Sequence, residues 1–286
     1  MKVLVVGAGA MGSQVGMVVA LAGLEAVVCD VSVQALASAE ASLRQRLAGQ
    51  VANGRRTQEA VDGAFARLRF ESNLEFAAAD ADLVIEAIVE KVDAKRALFA
   101  ELGRLTQPHA ILTSNSSSIV PSKLADASGR PDRFVNIHFF NPALVMKAAE
   151  VVRGPETSDA TMKSAVDFVE RIGKTPIALD KEIFGFVANR LLNAVRDEAI
   201  RLYEDGYASV QAIDTAAKAA LGYPMGPFEL MDLTGIDIGY HVKKERYAET
   251  GDPADLPSRS VTELVESGHL GRKTGRGWYT YDKTGT

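Results

Sequence analysis

VLVVGAGAMG, residues 3–12, is the stretch that decides the fold. Val3 to Val6 form a short apolar run of the kind that makes a buried strand. Glycines follow at 7, 9 and 12, with the G-x-G-x-x-G spacing of a strand that turns sharply into a helix. The first glycine permits the turn, the second lets backbone approach a pyrophosphate, and the third lets helix pack closely on strand. Ala10 and Met11 fall at the expected helix start, where free amides and the positive end of the helix dipole receive phosphate charge. A second apolar run, AVVCD at 26–30, ends in Asp30, 18 residues past Gly12. A carboxylate at that place accepts hydrogen bonds from ribose hydroxyls and repels a 2′-phosphate, so NAD is expected rather than NADP.

Further along, short apolar runs alternate with longer helical patterns: LRF (68–70), LVIEA (83–87), AILTS (110–114), RFVNIHF (133–139) and Thr175 to Leu179. That alternation predicts an α/β fold, a Rossmann-type, mostly parallel sheet flanked by helices. Between Val33 and Arg67 an Ala-, Gln- and Arg-rich stretch, broken near Asn53-Gly54, predicts a helical hairpin inserted after the second strand. From Phe184 a single long helical pattern runs to Asp205 and ends at Gly206, and strand signals then largely cease. The boundary is placed near Lys181, giving a dinucleotide-binding domain at 1–181 and a second, all-helical C-terminal domain at 182–286.

Composition limits the partners. The 286 residues are 47% hydrophobic and 24% charged, as in an ordinary soluble globule with a sizeable core. A net charge of -5 speaks against sequence-independent binding to nucleic acid, which needs a basic face. The lone cysteine, Cys29, cannot form an intramolecular disulfide and reads as a small core residue whose pKa the neighbouring Asp30 raises. Glycines at 7, 9, 12 and 16, with Ser13 and Gln14, interrupt the apolar opening, so neither a secretory leader nor a membrane span is expected, and the location is expected to be cytoplasmic. No metal site is expected.

Four further segments carry polar groups in apolar surroundings: SNSSS (114–118), NIHFFNP (136–142), MKAAEVV (146–152) and GFVANRLLN (185–193). Singly, each has an ordinary structural explanation. His138 can be a satisfied core histidine, Glu150 a salt-bridge partner, the serines a helix cap before Pro121, and Asn189 an interhelical hydrogen bond. Together, and in this order, they resemble the 3-hydroxyacyl-CoA dehydrogenase family along essentially the whole chain. The resemblance also rests on VGAGAMG (6–12), IEAIVE (85–90), GYPMGPFELMDLTG (222–235) and GRKTGRGWYTY (271–281).

The resemblance implies NAD-dependent oxidation of a 3-hydroxyacyl-CoA, and the reverse reduction. It makes His138 the general base and acid, a role suited to an imidazole that titrates near neutrality. Glu150 would hold the other ring nitrogen, fixing the tautomer and stabilising the imidazolium as it forms. The 12 residues between them suit neighbouring strands. Ser117 and Asn189 would hold the substrate oxygen, and since Asn189 lies beyond Lys181 the reaction site is expected between the domains. Glu90, Lys95, Asn115, Ser117, Asn141 and Lys273 are assigned by resemblance to the cofactor side.

Coenzyme A carries phosphates, which makes Arg44, Arg46, Arg55 and Arg56 of the inserted hairpin candidate contacts. Relatives often carry lysines there, and a solvated arginine-bearing helix face explains the same residues. A homodimer formed through the helical domain is also implied. Two departures bear on substrate. Leu144 stands where the family usually has proline, which relaxes the backbone there, and Ser116 stands for threonine. SNSSSIVPSKLA also resembles the gulonate dehydrogenase and lambda-crystallin branch, so a free hydroxy acid such as a sugar acid is the alternative substrate. The absence of a lysine in GFVANRLLNAV speaks against the mechanism of 3-hydroxyisobutyrate-type enzymes.

Overall fold

The computed structural model describes residues 1–281, the side chain of Glu249 excepted. Two compact units divide between Val187 and Ala188. The first opens with β1 (Lys2–Val6), α1 (Ala10–Leu21) and β2 (Glu25–Cys29), followed by α2 (Val33–Ala52) and α3 (Gln58–Phe65). Then come β3 (Leu68–Glu71), α4 (Leu74–Ala78), β4 (Leu83–Glu86), α5 (Val92–Leu105), β5 (Ile111–Ser114), β6 (Phe134–Phe139), β7 (Ala148–Val152), α6 (Asp159–Arg171) and β8 (Thr175–Leu179).

The eight strands form one sheet in the order β3-β2-β1-β4-β5-β6-β7-β8. Each neighbouring pair is parallel except β6 and β7. Strand order reverses at β1, which pairs with both β2 and β4, so the carboxyl ends of β1 and β4 flank the topological switch point where α/β sheets take their ligands. Residues 140–147 between β6 and β7 are too few for a helical crossover, which forces the antiparallel turn. One of the eight, β7, is absent from the strand runs read in the sequence.

Both faces of the sheet are buried, as a parallel sheet requires. On one face Val15, Met17 and Val19 of α1 and Leu36, Leu43 and Leu47 of α2 pack with Val3, Val5 and Ile85. On the other, Phe99 of α5 meets Phe134 edge-on, ring centres 4.7 Å apart. The inserted hairpin forms as expected: Gly54, at φ +72°, ends α2, and Thr57 caps α3 by accepting from the Ala60 amide. The helix expected to begin at Phe184 begins instead at Ala188, because Gly185 and Phe186 both take left-handed backbone at φ +74° and +47°.

The second unit is helical: α7 (Ala188–Glu204), α8 (Val210–Leu221), α9 (Pro227–Thr234), α10 (Ile236–Thr250) and α11 (Arg259–Glu266). Ile200, Ile213, Phe228, Met231 and Val261 form its core, with Trp278 packed on Phe228 at 4.6 Å. Two buried carboxylates explain the GYPMGPFELMDLTG and GRKTGRGWYTY motifs. Asp214 accepts from the Phe228 and Glu229 amides at the start of α9 and from the Tyr279 hydroxyl. Asp232 accepts from the Trp278 and Tyr279 amides and the Tyr281 hydroxyl, tying the last described residues to α9. No helix among the described residues is long and apolar enough to cross a membrane.

Asp232→Ala is expected to cost about 3 kcal/mol or more, because three donors lose a charged acceptor at a buried position. Urea denaturation checks this, and an unchanged midpoint would show that the tether carries no stability.

Candidate active site

The glycine turn is shaped by close approach. Gly7, at φ +110°, donates its amide to Cys29 O at 2.7 Å, and a Cβ there would lie 2.5 Å from Ala87 O. At Gly12 a Cβ would come within 1.9 Å of Gly7 O, so α1 rests directly on the turn. Gly9 is different. Nothing lies within 4 Å of its Cβ position, and no side chain caps the first-turn amides of α1, where Ala10 and Met11 sit. That open, uncapped helix start is a cradle for a phosphate.

Beside it, Asp30 accepts from Ala8 N at 2.8 Å through one oxygen and from Ser32 N at 2.9 Å through the other. A carboxylate offers about four acceptor sites, so capacity for ribose hydroxyls is left. Cradle and carboxylate together fit NAD. Cys29 lies behind them in the core, its thiol pushed up to about 11 by burial first, then by Glu71 and Asp30.

A charged cluster closes the ends of β4 and β5. Glu86 and Lys95 are buried and salt-bridged, and Lys95 reaches Glu90 at 3.0 Å as well. Glu86 accepts from Ser114 Oγ at 2.6 Å and from the Ile88 amide at 2.8 Å. Ser116 and Ser118 both donate to Glu90. Burial pushes the Glu90 carboxyl up, but the Lys95 ammonium and the two serine hydroxyls outweigh it and hold it below the usual carboxylate range. Lys95 is enclosed here, its ammonium committed to two carboxylates.

His138 and Glu150 stand opposite each other in the β6–β7 register, which points both side chains to the same face. The His138 Nδ1 to Glu150 Oε2 distance is 2.8 Å. Glu150 Oε1 accepts from the Val187 amide at 2.9 Å. Phe140 and Phe186 lie against the imidazole, with ring centres 4.8 and 5.6 Å away. With Nδ1 engaged by a carboxylate, Nε2 is the nitrogen free to exchange a proton.

The serine segment follows β5. Asn115 Oδ1 accepts from Phe139 N at 2.9 Å, tying this segment to the end of β6. Its hydroxyls are committed at Ser114, Ser116 and Ser118, whereas Ser117 is exposed and its hydroxyl has no hydrogen-bond partner among the described residues. Ser116, the residue standing for threonine, also accepts from Ile119 N at 2.7 Å, work that either hydroxyl residue can do. Asn141 is exposed beyond β6.

The remaining candidates lie on other segments of the chain. Asn189 lies in the first turn of α7 in the second unit. Lys273, in the same unit, is ion-paired with Asp237 at 2.6 Å. Arg46 and Arg55 are solvent-exposed on the hairpin, Arg56 donates to Gln50, and Arg44 pairs with Glu40 over the Phe65 ring. Sequence reasoning passed over Glu86 and the Gly185–Val187 turn. A lone acid ending an apolar strand run was the available signal for the first, and a backbone amide leaves none for the second.

A phosphate cradle at a sheet switch point and a buried histidine–carboxylate pair near the same carboxyl edge define an NAD-dependent dehydrogenase. The family profile described as "3-hydroxyacyl-CoA dehydrogenase, NAD binding domain" matches residues 2–183, and that for the family's C-terminal domain matches residues 185–281. The chain belongs to the 3-hydroxyacyl-CoA dehydrogenase family. It is 41% identical to a 3-hydroxybutyryl-CoA dehydrogenase of Bradyrhizobium diazoefficiens, over 98% of this chain and 95% of that one. It is likewise 41% identical to the human mitochondrial hydroxyacyl-coenzyme A dehydrogenase, over 98% of this chain and 90% of that one. The crystal structure of (S)-3-hydroxybutyryl-CoA dehydrogenase from Ralstonia eutropha superposes with a TM-score of 0.90 at 36% identity, covering 99% of both chains.

The two kinds of glycine separate in a binding experiment. Gly9→Ala places a methyl in the open cradle and is expected to weaken NAD binding about tenfold or more, with the thermal midpoint held. Gly12→Ala drives a methyl into Gly7 O and is expected to lower both. Calorimetric titration with NAD, beside thermal unfolding, reads the two effects; equal damage from both substitutions would refute the cradle.

Proposed function

We propose that this protein oxidises (3S)-3-hydroxyacyl-CoA to 3-oxoacyl-CoA with NAD, and catalyses the reverse. The observation that carries the proposal is the buried His138–Glu150 pair, held at 2.8 Å in a strand register that fixes both side chains. Glu150 accepts a hydrogen bond from the Nδ1–H group, which stays on the ring, leaving the Nε2 lone pair to accept the proton of the substrate hydroxyl. Bound NAD supplies the acceptor for the hydride leaving C3. Proton removal places imidazolium beside a carboxylate, which stabilises it, and the flanking Phe140 and Phe186 rings keep water from weakening that attraction.

Ser117, its hydroxyl exposed, donates to the substrate oxygen as negative charge builds there. Asn189 is assigned the same task by the family resemblance. Glu90 faces the cofactor side, and Lys95 acts through it. Arg46, Arg55 and Arg56 supply the cations for the phosphates of coenzyme A. We also infer a homodimer, because Leu191, Leu221, Leu233 and Ile238 expose apolar side chains on the helical unit. A cytoplasmic setting suits the single buried thiol.

Purified protein with NADH and acetoacetyl-CoA is expected to consume NADH, while NADPH or free acetoacetate gives far slower loss of absorbance. His138→Gln is expected to lower kcat about 100- to 10,000-fold while NADH binding, followed by fluorescence, persists. Equal rates with free acetoacetate would overturn the CoA-ester substrate, and an undiminished His138→Gln enzyme would overturn the assignment of the base.

A further inference from the structure

After β8 the chain returns through Phe184, Gly185, Phe186 and Val187 before α7 begins. Phe186 is the one non-glycine residue with positive φ among the described residues, at +47°, directly after Gly185 at +74°. A bulky L-residue is strained there, and glycine would adopt the same backbone freely. Backbone geometry alone therefore does not account for a phenylalanine.

The ring does account for it. Phe186 is fully buried, packs with Val152 of β7 and Leu179 of β8, and lies 5.6 Å from the His138 imidazole. The turn it occupies is closed by the Phe186 amide donating to Ile183 O at 3.0 Å. The next amide, of Val187, is thereby aimed at Glu150 Oε1 at 2.9 Å, while Glu150 Oε2 takes His138 Nδ1. The two carboxylate oxygens thus have separate donors, which stops the carboxylate from rotating about its axis and sets the plane the imidazole must meet.

We propose that Phe186 is a positioning residue for the dehydrogenase reaction: its left-handed backbone aims the Val187 amide at Glu150, and its ring seals the His138–Glu150 pair from water. The proposal rests on the assignment of His138 as the base. An imidazole held in one tautomer and one plane presents Nε2 to the hydroxyl in every encounter, so the benefit falls on kcat. Substrate binding does not depend on it.

Phe186→Gly removes the ring and relieves the strain while keeping the Val187 amide. Its kcat with acetoacetyl-CoA is expected to fall about 10- to 100-fold, with the KM and the NADH dissociation constant held within about threefold. Phe186→Leu refills the space with apolar atoms and is expected to recover most of the loss. Nitrogen NMR of the imidazole provides a readout apart from turnover. His138 in the parent protein is expected to show one dominant tautomer, and in Phe186→Gly a mixture.

Wild-type kcat and an unmixed tautomer in Phe186→Gly would overturn the proposal, as would a loss that Phe186→Leu does not recover. A His138→Gln enzyme assayed alongside separates the two levels. Loss of activity there, with full activity in Phe186→Gly, overturns the positioning role alone. Full activity in His138→Gln overturns the base, and this inference with it.

Discussion

A carboxylate taken out of water must be given donors, and four such carboxylates organise this protein. Glu86, Glu150, Asp214 and Asp232 are each at most 1% exposed. Asp214 and Asp232 bring distant backbone amides and tyrosine hydroxyls to the ends of α9, and so build the helical unit. Glu86 draws Lys95 from α5 onto the end of β4, where a salt bridge needs further hydrogen bonds to be stable; Ser114 and the Ile88 amide provide them. Glu150 recruits a histidine from the adjacent strand and an amide from the chain beyond β8. Two of the four are structural joints of the helical unit, and the same requirement at the sheet's carboxyl edge holds Lys95 beside Glu86 and His138 beside Glu150.

The sheet explains why those two fall where they do. Five strands, β1 to β5, run parallel with β6, so their carboxyl ends share one edge, and the glycine turn, Glu86, Ser114 and His138 all lie at or near it. Only β6 and β7 run antiparallel, and that pairing alone sets a side chain directly opposite His138. A parallel neighbour would have needed a long crossover and a slanted hydrogen-bond pattern. The strained turn at Phe186, typically worth about 1–3 kcal/mol against folding, is tolerated because the surrounding contacts over-determine it.

Much of this was legible in the residues. The glycine spacing, Asp30 and the alternating apolar runs gave the sheet and its ligand edge because they are local patterns. Strand β7 is missing from the apolar runs, and a strand at Glu150 was anticipated only through its pairing with His138, because Glu150 interrupts AAEVV with a charge that only a partner on the next strand makes admissible in a core. The pattern from Phe184 onward has helical periodicity, which carries no information about a left-handed residue at Phe186; helix start and apolar period simply disagree. Lys95 could be placed near the cofactor only by family likeness. That it is enclosed between two carboxylates depends on α5 packing beside β4, a tertiary fact.

Leu144 shows how a departure from family pattern can be absorbed. Without proline the loop after His138 loses a fixed φ, which on its own loosens it. The leucine, however, has an amide, and that amide reaches the buried Gln14 Oε1 of α1 at 3.4 Å, while its side chain packs against the core. The Val145 and Met146 amides both return to Pro142 O, at 2.9 and 3.0 Å. Lys174, its pKa lowered by burial, donates to Ala143 O at 2.7 Å and Met146 O at 2.6 Å from the entry to β8. The loop is thus held from the dinucleotide helix on one side and from β8 on the other. Loss of proline changes how the segment beside His138 is anchored, not whether it is, and therefore gives no reason of its own to look for a substrate outside the acyl-CoA class.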